Sequence, residues 1–130
     1  MKKIGFIGAG NMGYAMLKGL LNYEEKDNII FTEVSKDRAQ WVNTNLGIEV
    51  EKNNMDLVNR TKYIVLAIKP QYYTSVLEEI KNFVTGNHII ISIAPGISID
   101  SLKVQLNNDI RIVRAMPNTP ALIGAGMSVV

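Results

Sequence analysis

Cysteine is missing from this chain of 130 residues, which excludes disulfides, thiolate zinc sites and cysteine nucleophiles and fits a reducing compartment. Histidine occurs once, at position 88, and no Ser/His or Cys/His pair points to nucleophilic catalysis. The acids show no metal-ligand spacing. Long apolar runs are lacking as well: none approaches the ~18 to 20 residues of a spanning helix, so no membrane association is expected. Met1-Lys2-Lys3 imitates the start of a signal peptide. However, Gly8, Gly10, Asn11, Gly13 and Lys18 break up any apolar segment behind it, and the expected location is cytoplasmic. Basic side chains form no stripe. The 14 Lys and Arg lie scattered among 12 Asp and Glu, net charge +2, and nucleic acid is not an expected partner.

The 47% of apolar residues is ordinary for a globular protein, and a chain of this size buries roughly two thirds of its unfolded surface in one core. No repeat or Pro/Gly/Ser linker divides it. Short apolar runs alternate with amphipathic stretches throughout, the pattern of an α/β protein with helices on a parallel sheet. Strands are expected at Lys3 to Ile7, Ile29 to Glu33, Ile48 to Val50, Tyr63 to Ile68, Ile89 to Ile93 and Ile110 to Ala115. Several read as continuous apolar runs, as strands buried on both faces do. Helical stripes follow at Gly13, Met16, Leu17 and Leu20, and at Ala39, Val42 and Leu46 with Gly47 as the stop. Two more stripes are Val76, Leu77 and Ile80, and Ile99, Leu102 and Leu106 behind Ser98 as N-cap. Asn54 to Arg60 reads as one short turn of helix. Right-handed crossovers then give a Rossmann-type, doubly wound sheet in the order 3-2-1-4-5-6, with ligand at the carboxyl ends of the strands.

Gly8-Ala9-Gly10-Asn11-Met12-Gly13 is a G-x-G-x-x-G sequence between the first strand and the first helix, the context that a dinucleotide fingerprint requires. Gly8 permits the tight turn, Gly10 lets the backbone approach a pyrophosphate, and Gly13 lets helix and strand pack closely. The free N–H groups of the helix start, including those of Asn11 and Met12, then hold phosphate without a basic side chain. At the end of the second strand a carboxylate favours NAD and a cation favours NADP. Here the signals conflict. Glu33 favours NAD, yet Ser35, Lys36 and Arg38 follow and could gather around a 2′-phosphate, or else form the capped first turn of a helix.

The blocks Gly5–Gly13, Leu66-Ala67-Ile68-Lys69-Pro70-Gln71, Ser92-Ile93-Ala94-Pro95-Gly96-Ile97 and Arg114-Ala115-Met116-Pro117-Asn118-Thr119-Pro120 occur in that order. Together they resemble pyrroline-5-carboxylate reductase over essentially the whole chain. The first block alone also resembles hydroxyacid dehydrogenases and deazaflavin-linked NADP reductases, whereas the Met-Pro-Asn-Thr-Pro block is far more specific. The resemblance implies hydride transfer from NADPH or NADH to the cyclic imine 1-pyrroline-5-carboxylate, giving L-proline. It implies Asn54 near the adenosine, Ala67, Lys69 and Pro70 along the nicotinamide ribose, and Asn118 and Thr119 beside nicotinamide and substrate. Each also has a plain structural reading: a helix cap for Asn54, a surface lysine for Lys69, a rigid turn for Asn118-Thr119. Glu33 and Val34 depart from the family's small polar or basic residues, which leaves the choice of NAD or NADP open.

Family members continue into a helical domain that forms the dimer and much of the substrate pocket. The resemblance therefore reads residues 1–130 as a dinucleotide-binding domain cut short, with Gly126 to Val130 a strand that further structure should follow. No catalytic side chain is assigned. The fragment is expected to bind cofactor without turning over. A stand-alone, non-catalytic dinucleotide-binding module is the alternative of another class. His88 falls at the wrong end of its strand for catalysis, and Trp41, Tyr72 and Tyr73 read as packing residues.

Overall fold

Six short strands and five helices alternate along the chain in a computed structural model that describes residues 2–94, 96–106 and 109–115. The strands are β1 (Ile4–Ile7), β2 (Ile29–Thr32), β3 (Glu49–Val50), β4 (Tyr63–Leu66), β5 (Ile89–Ser92) and β6 (Arg111–Arg114). They form one sheet in the order β3-β2-β1-β4-β5-β6, every neighbouring pair parallel, as the crossover argument expects. The helices are α1 (Asn11–Leu20), α2 (Lys36–Leu46), α3 (Asn54–Arg60), α4 (Tyr73–Ile80) and α5 (Ile99–Gln105).

Alternation along the central strands divides the core into two layers. Phe6, Phe31, Tyr63 and Val65 face Met16, Leu17 and Leu20 of α1 and Val42 of α2. Ile7, Ile30, Ile64 and Leu66 face Leu57 and Val58 of α3, Leu77 and Ile80 of α4 and Leu102 of α5. Burying both faces explains why β1, β2, β4 and β5 read as unbroken apolar runs. Each fully buried aliphatic side chain contributes ~1.5 to 3 kcal/mol against solvent exposure. The chain winds outward in both directions from β1 and β4, so a crevice opens between the carboxyl ends of these two strands.

The strands are shorter than their apolar runs. Ile48, Ala67, Ile68, Ile93, Ile110 and Ala115 continue the apolar runs outside the paired residues, and Lys3 and Glu33, expected as strand ends, also fall outside them. Edge strand β3 keeps two exposed residues, while Ile48 is buried and held by the Asn43 side-chain amide, which donates to its carbonyl at 2.8 Å. Helix boundaries follow the local chemistry. Gly47 closes α2 with φ of 71°, and Ser98 caps α5 by accepting from the Ser101 N–H. Of the three aromatic residues read as packing, Tyr73 is 2% exposed, but Trp41 is 44% and Tyr72 55% exposed. Tyr72 stands on the first turn before α4, pointing away from the core stripe that Tyr73 begins.

Candidate functional site

At the crevice, β1 turns into α1 through Gly8, Ala9 and Gly10. Gly8 has φ of 100°, and a Cβ on it would run into the Ala67 carbonyl and come within 2.8 Å of Ile68 Cγ2. A Cβ on Gly13 would lie 2.7 Å from the Gly8 carbonyl oxygen and 3.3 Å from Ala67 Cβ. These two glycines let α1 press its first turn against the end of β4. Gly10 differs, because a Cβ there would meet open space. No side chain caps α1, whose ladder starts with the Tyr14 N–H donating to the Gly10 carbonyl at 2.8 Å. The N–H groups of Asn11, Met12 and Gly13 precede that first bond and carry the positive end of the helix dipole toward the exposed side of Gly10.

Ala9 is held through both of its backbone polar groups. Its N–H donates to Glu33 Oε1 at 2.9 Å, and its carbonyl accepts from Arg38 Nε at 2.8 Å. The second Glu33 oxygen accepts from the Ser35 N–H at 3.0 Å. Glu33 thus stands where the sequence puts it, at the carboxyl end of β2 beside the glycine loop. Ser35 caps α2, its hydroxyl accepting from the Arg38 N–H at 3.2 Å, and Lys36 is exposed on the first turn. Arg38 lays its guanidinium 4.6 Å from the Trp41 ring and 5.5 Å from that of Tyr14, the two rings lying 4.8 Å apart. The bond from Arg38 to Ala9 and the part of Tyr14 have no signal in the sequence, since they join segments 24 to 29 residues apart.

Asn54 opens α3 but does not cap it. Asn53 does so, its side chain accepting from the Asp56 N–H at 2.7 Å. Asn54 instead accepts from the Thr32 hydroxyl at 2.6 Å and donates to Glu79 at 3.2 Å, tying the end of β2 to α3 and α4. Past β4, Ala67 backs the glycine loop, Lys69 is exposed, and Pro70 starts a short 3-10 turn. Beneath this loop the Tyr73 hydroxyl lies 3.0 Å from Ser92 Oγ and 3.2 Å from the Leu66 carbonyl, joining the ends of β4 and β5. Burial raises the Tyr73 phenol above its ordinary range, so it stays protonated at neutral pH. Asn118, Thr119 and the rest of Met116 to Pro120 fall outside the described residues, as does Gly126 to Val130.

The other end of the sheet is built differently. His88, just ahead of β5, accepts from the Thr85 N–H on Nδ1 at 2.9 Å and donates from Nε2 to the Val58 carbonyl at 2.8 Å. It braces the loop before β5 against the last turn of α3 and faces away from the crevice. A surface depression of about 540 Å³ lies at this end too, lined by Leu21, Asn22, Tyr23, Lys26 and Leu46 among others. It is remote from the glycine loop and gathers none of the groups described above. Among the described residues, no helix is long and apolar enough to cross a membrane.

The family described as "NADP oxidoreductase coenzyme F420-dependent" matches residues 3–96. The chain is 38% identical to the pyrroline-5-carboxylate reductase of Escherichia coli over 129 residues, covering 98% of this chain and 48% of that protein. Among solved structures, a pyrroline-5-carboxylate reductase from Coxiella burnetii superposes with a TM-score of 0.82 at 30% identity, covering 88% of this chain and 43% of that one. The Plasmodium falciparum pyrroline carboxylate reductase, solved with NADP bound, gives 0.79 at 33% identity over 94% of this chain and 44% of that one. The chain spans about half the length of the curated relatives it matches. The resemblance read from the four sequence blocks and the Rossmann-type sheet are both borne out.

Proposed function

Since this chain belongs to the NADP oxidoreductase, coenzyme F420-dependent family, we propose that it is the cofactor-holding part of a cytoplasmic pyrroline-5-carboxylate reductase. The curated relatives favour this member of the family over the deazaflavin-linked enzymes that the family's description names. The observation that carries the reading is the uncapped start of α1, with Gly8 and Gly13 packed tightly behind it and open space at Gly10 in front.

The residues present fit a nicotinamide dinucleotide. The N–H groups of Asn11, Met12 and Gly13 would hold the pyrophosphate, and Glu33 would accept from the adenosine ribose. Asn54 would sit on the adenosine side, with Ala67, Lys69 and Pro70 along the nicotinamide ribose and Asn118-Thr119 at the nicotinamide end. The bound cofactor supplies a hydride to the imine carbon of 1-pyrroline-5-carboxylate, and the protein supplies position. Positioning of this kind is worth ~7 to 11 kcal/mol of barrier. In this reading it needs a dimer-forming helical part like the one implied by the family, so the 130 residues alone bind cofactor without turnover.

Titration calorimetry with NADH and NADPH tests the first half of this reading, and cofactor oxidation in the presence of substrate tests the second. Saturation at ~100 times the dissociation constant should stabilise the fold by ~2.7 kcal/mol. A folded sample that binds neither dinucleotide at millimolar concentration would sink the reading. Ordinary enzymatic turnover by these residues alone would show that the substrate site has been misplaced.

A further inference from the structure

We propose that Arg38 is a positioning residue for the cofactor pyrophosphate, acting through the Ala9 peptide, and not a ligand of a 2′-phosphate; this rests on the reading above. The Ala9 peptide lies between Gly8 and Gly10, the residue type that restrains backbone rotation least. A Gly-Ala-Gly loop on its own would leave this peptide free to turn, and the free N–H groups of α1 would turn with it. The structure removes that freedom from both sides. Glu33 holds the Ala9 N–H at 2.9 Å and Arg38 holds the Ala9 carbonyl at 2.8 Å, so opposite charges pin the two consecutive peptide units, Gly8–Ala9 and Ala9–Gly10, that flank its Cα. Ala9 itself is fully buried.

The direction of the Arg38 bond is fixed by packing. Its guanidinium sits between two elements, with Cζ 4.6 Å from the ring centre of Trp41 on its own helix and 5.5 Å from that of Tyr14 on α1, and it donates to the Ala9 carbonyl from Nε. That orientation requires a planar, delocalised cation, which lysine does not provide. An arginine so engaged is oriented toward the loop backbone, and its contribution reaches NADH and NADPH alike through preorganisation of the phosphate-binding turn.

The test compares wild type, Arg38→Ala, Arg38→Lys and Trp41→Leu for binding of NADH and NADPH by calorimetry. Folding is checked by circular dichroism and melting temperature. The expected result is a loss of roughly tenfold to a hundredfold for both dinucleotides in Arg38→Ala, the size expected for a hydrogen bond to a charged group. The ratio of the two constants should stay within about twofold, with no rescue by Arg38→Lys and little change in melting temperature. Trp41 is the only tryptophan in the chain, so its fluorescence reports directly on the stack in the Arg38 variants. If Arg38→Ala does not fold, Trp41→Leu, which keeps Arg38 but removes its platform, should still weaken both cofactors equally. Selective loss of NADPH would make Arg38 a phosphate ligand and overturn the proposal, as would undiminished binding of both. A wild type that binds neither dinucleotide would instead remove the functional reading on which the proposal rests.

Discussion

The two ends of the sheet treat their polar groups in opposite ways. At the amino end they are paired: Lys3 with Glu24 at 2.8 Å, Arg60 with Glu49 at 2.8 Å, and His88 between two backbone groups. At the carboxyl end, α1 begins without a cap, and the side chains nearest to it are committed to holding the Ala9 peptide. A protein gains nothing in stability from an uncapped helix start, and capping is worth ~0.5 to 2 kcal/mol. On the proposed reading one end serves stability and the other binding, and substitutions at the two ends should separate accordingly.

The largest separation is expected at Gly13. Valine there forces side-chain carbon into the Gly8 carbonyl, only 2.7 Å from the position of a Cβ, so α1 must move off the end of β4. The shift should cost ~1 to 3 kcal/mol of stability as overpacking and weaken both dinucleotides by roughly a hundredfold, ~2.7 kcal/mol. His88→Ala is the matching change at the amino end. Two backbone groups lose their partner, for ~1 to 3 kcal/mol of stability, with cofactor affinity unchanged. Denaturant melts and calorimetry on both variants read the contrast. Equal effects of the two changes on binding would break it.

Glu33→Ser tests the carboxyl end alone. On the proposed reading this removes a charge that would repel a 2′-phosphate and accept from a 2′-hydroxyl, and the preference should move toward NADPH by about tenfold, ~1.4 kcal/mol. Because Glu33 also anchors the Ala9 N–H, most of that change should come from weaker NADH binding. A constant ratio of dissociation constants would place the choice in Ser35 to Arg38 instead.

Much of this was legible in the chain. Strand order followed from parallel apolar runs and right-handed crossovers, and the tight packing at Gly8 and Gly13 and the place of Glu33 at the end of β2 were legible because they are local or lie at a fixed point in the fold. What escaped the sequence is tertiary. Arg38 reads as first-turn helix residue or phosphate ligand until the fold brings Tyr14 against Trp41 and Ala9 within reach. Asn53 and Asn54 are indistinguishable as caps until Thr32 and Glu79 engage the second of them. Strand ends were drawn too long because apolar character continues past the last ladder bond, as at Ile68 and Ile93.

Tyr73→Phe sharpens the comparison from within. Its hydroxyl lies at the carboxyl end yet is buried and bonded to Ser92 and Leu66, so it resembles the amino-end groups in being committed to the fold. The variant should lose ~0.5 to 1.5 kcal/mol, the ordinary net value of such bonds, and bind cofactor as before. A large drop in affinity would show that the crevice between β1 and β4 depends on this hydroxyl through the end of β4.

The smallest effect should come from the charges at the amino end, and acid brings it out. The hydrogen bond from Arg60 holds the Glu49 carboxyl below its ordinary value, with Lys2 adding to the attraction. A carboxyl lowered in the folded state stabilises above its unfolded value, about 4.3, and the contribution drains away as pH falls through the folded one. Arg60→Ala should therefore cost about 1 kcal/mol at pH 7: it breaks the pairs with both Glu49 and Glu51, but both run through an Arg60 side chain that is 39% exposed and screened over ~8 Å at physiological salt. The deficit should shrink as acid protonates Glu49 in both proteins. Glu24, held down by Lys3, titrates in both and cancels from the difference. Melting curves from pH 7 to 3 at low and high salt measure this, with cofactor titrations alongside at neutral pH. A deficit that grows toward acid would contradict the assigned direction for Glu49. Weakened cofactor binding in Arg60→Ala would mean that the two ends of the sheet are not independent.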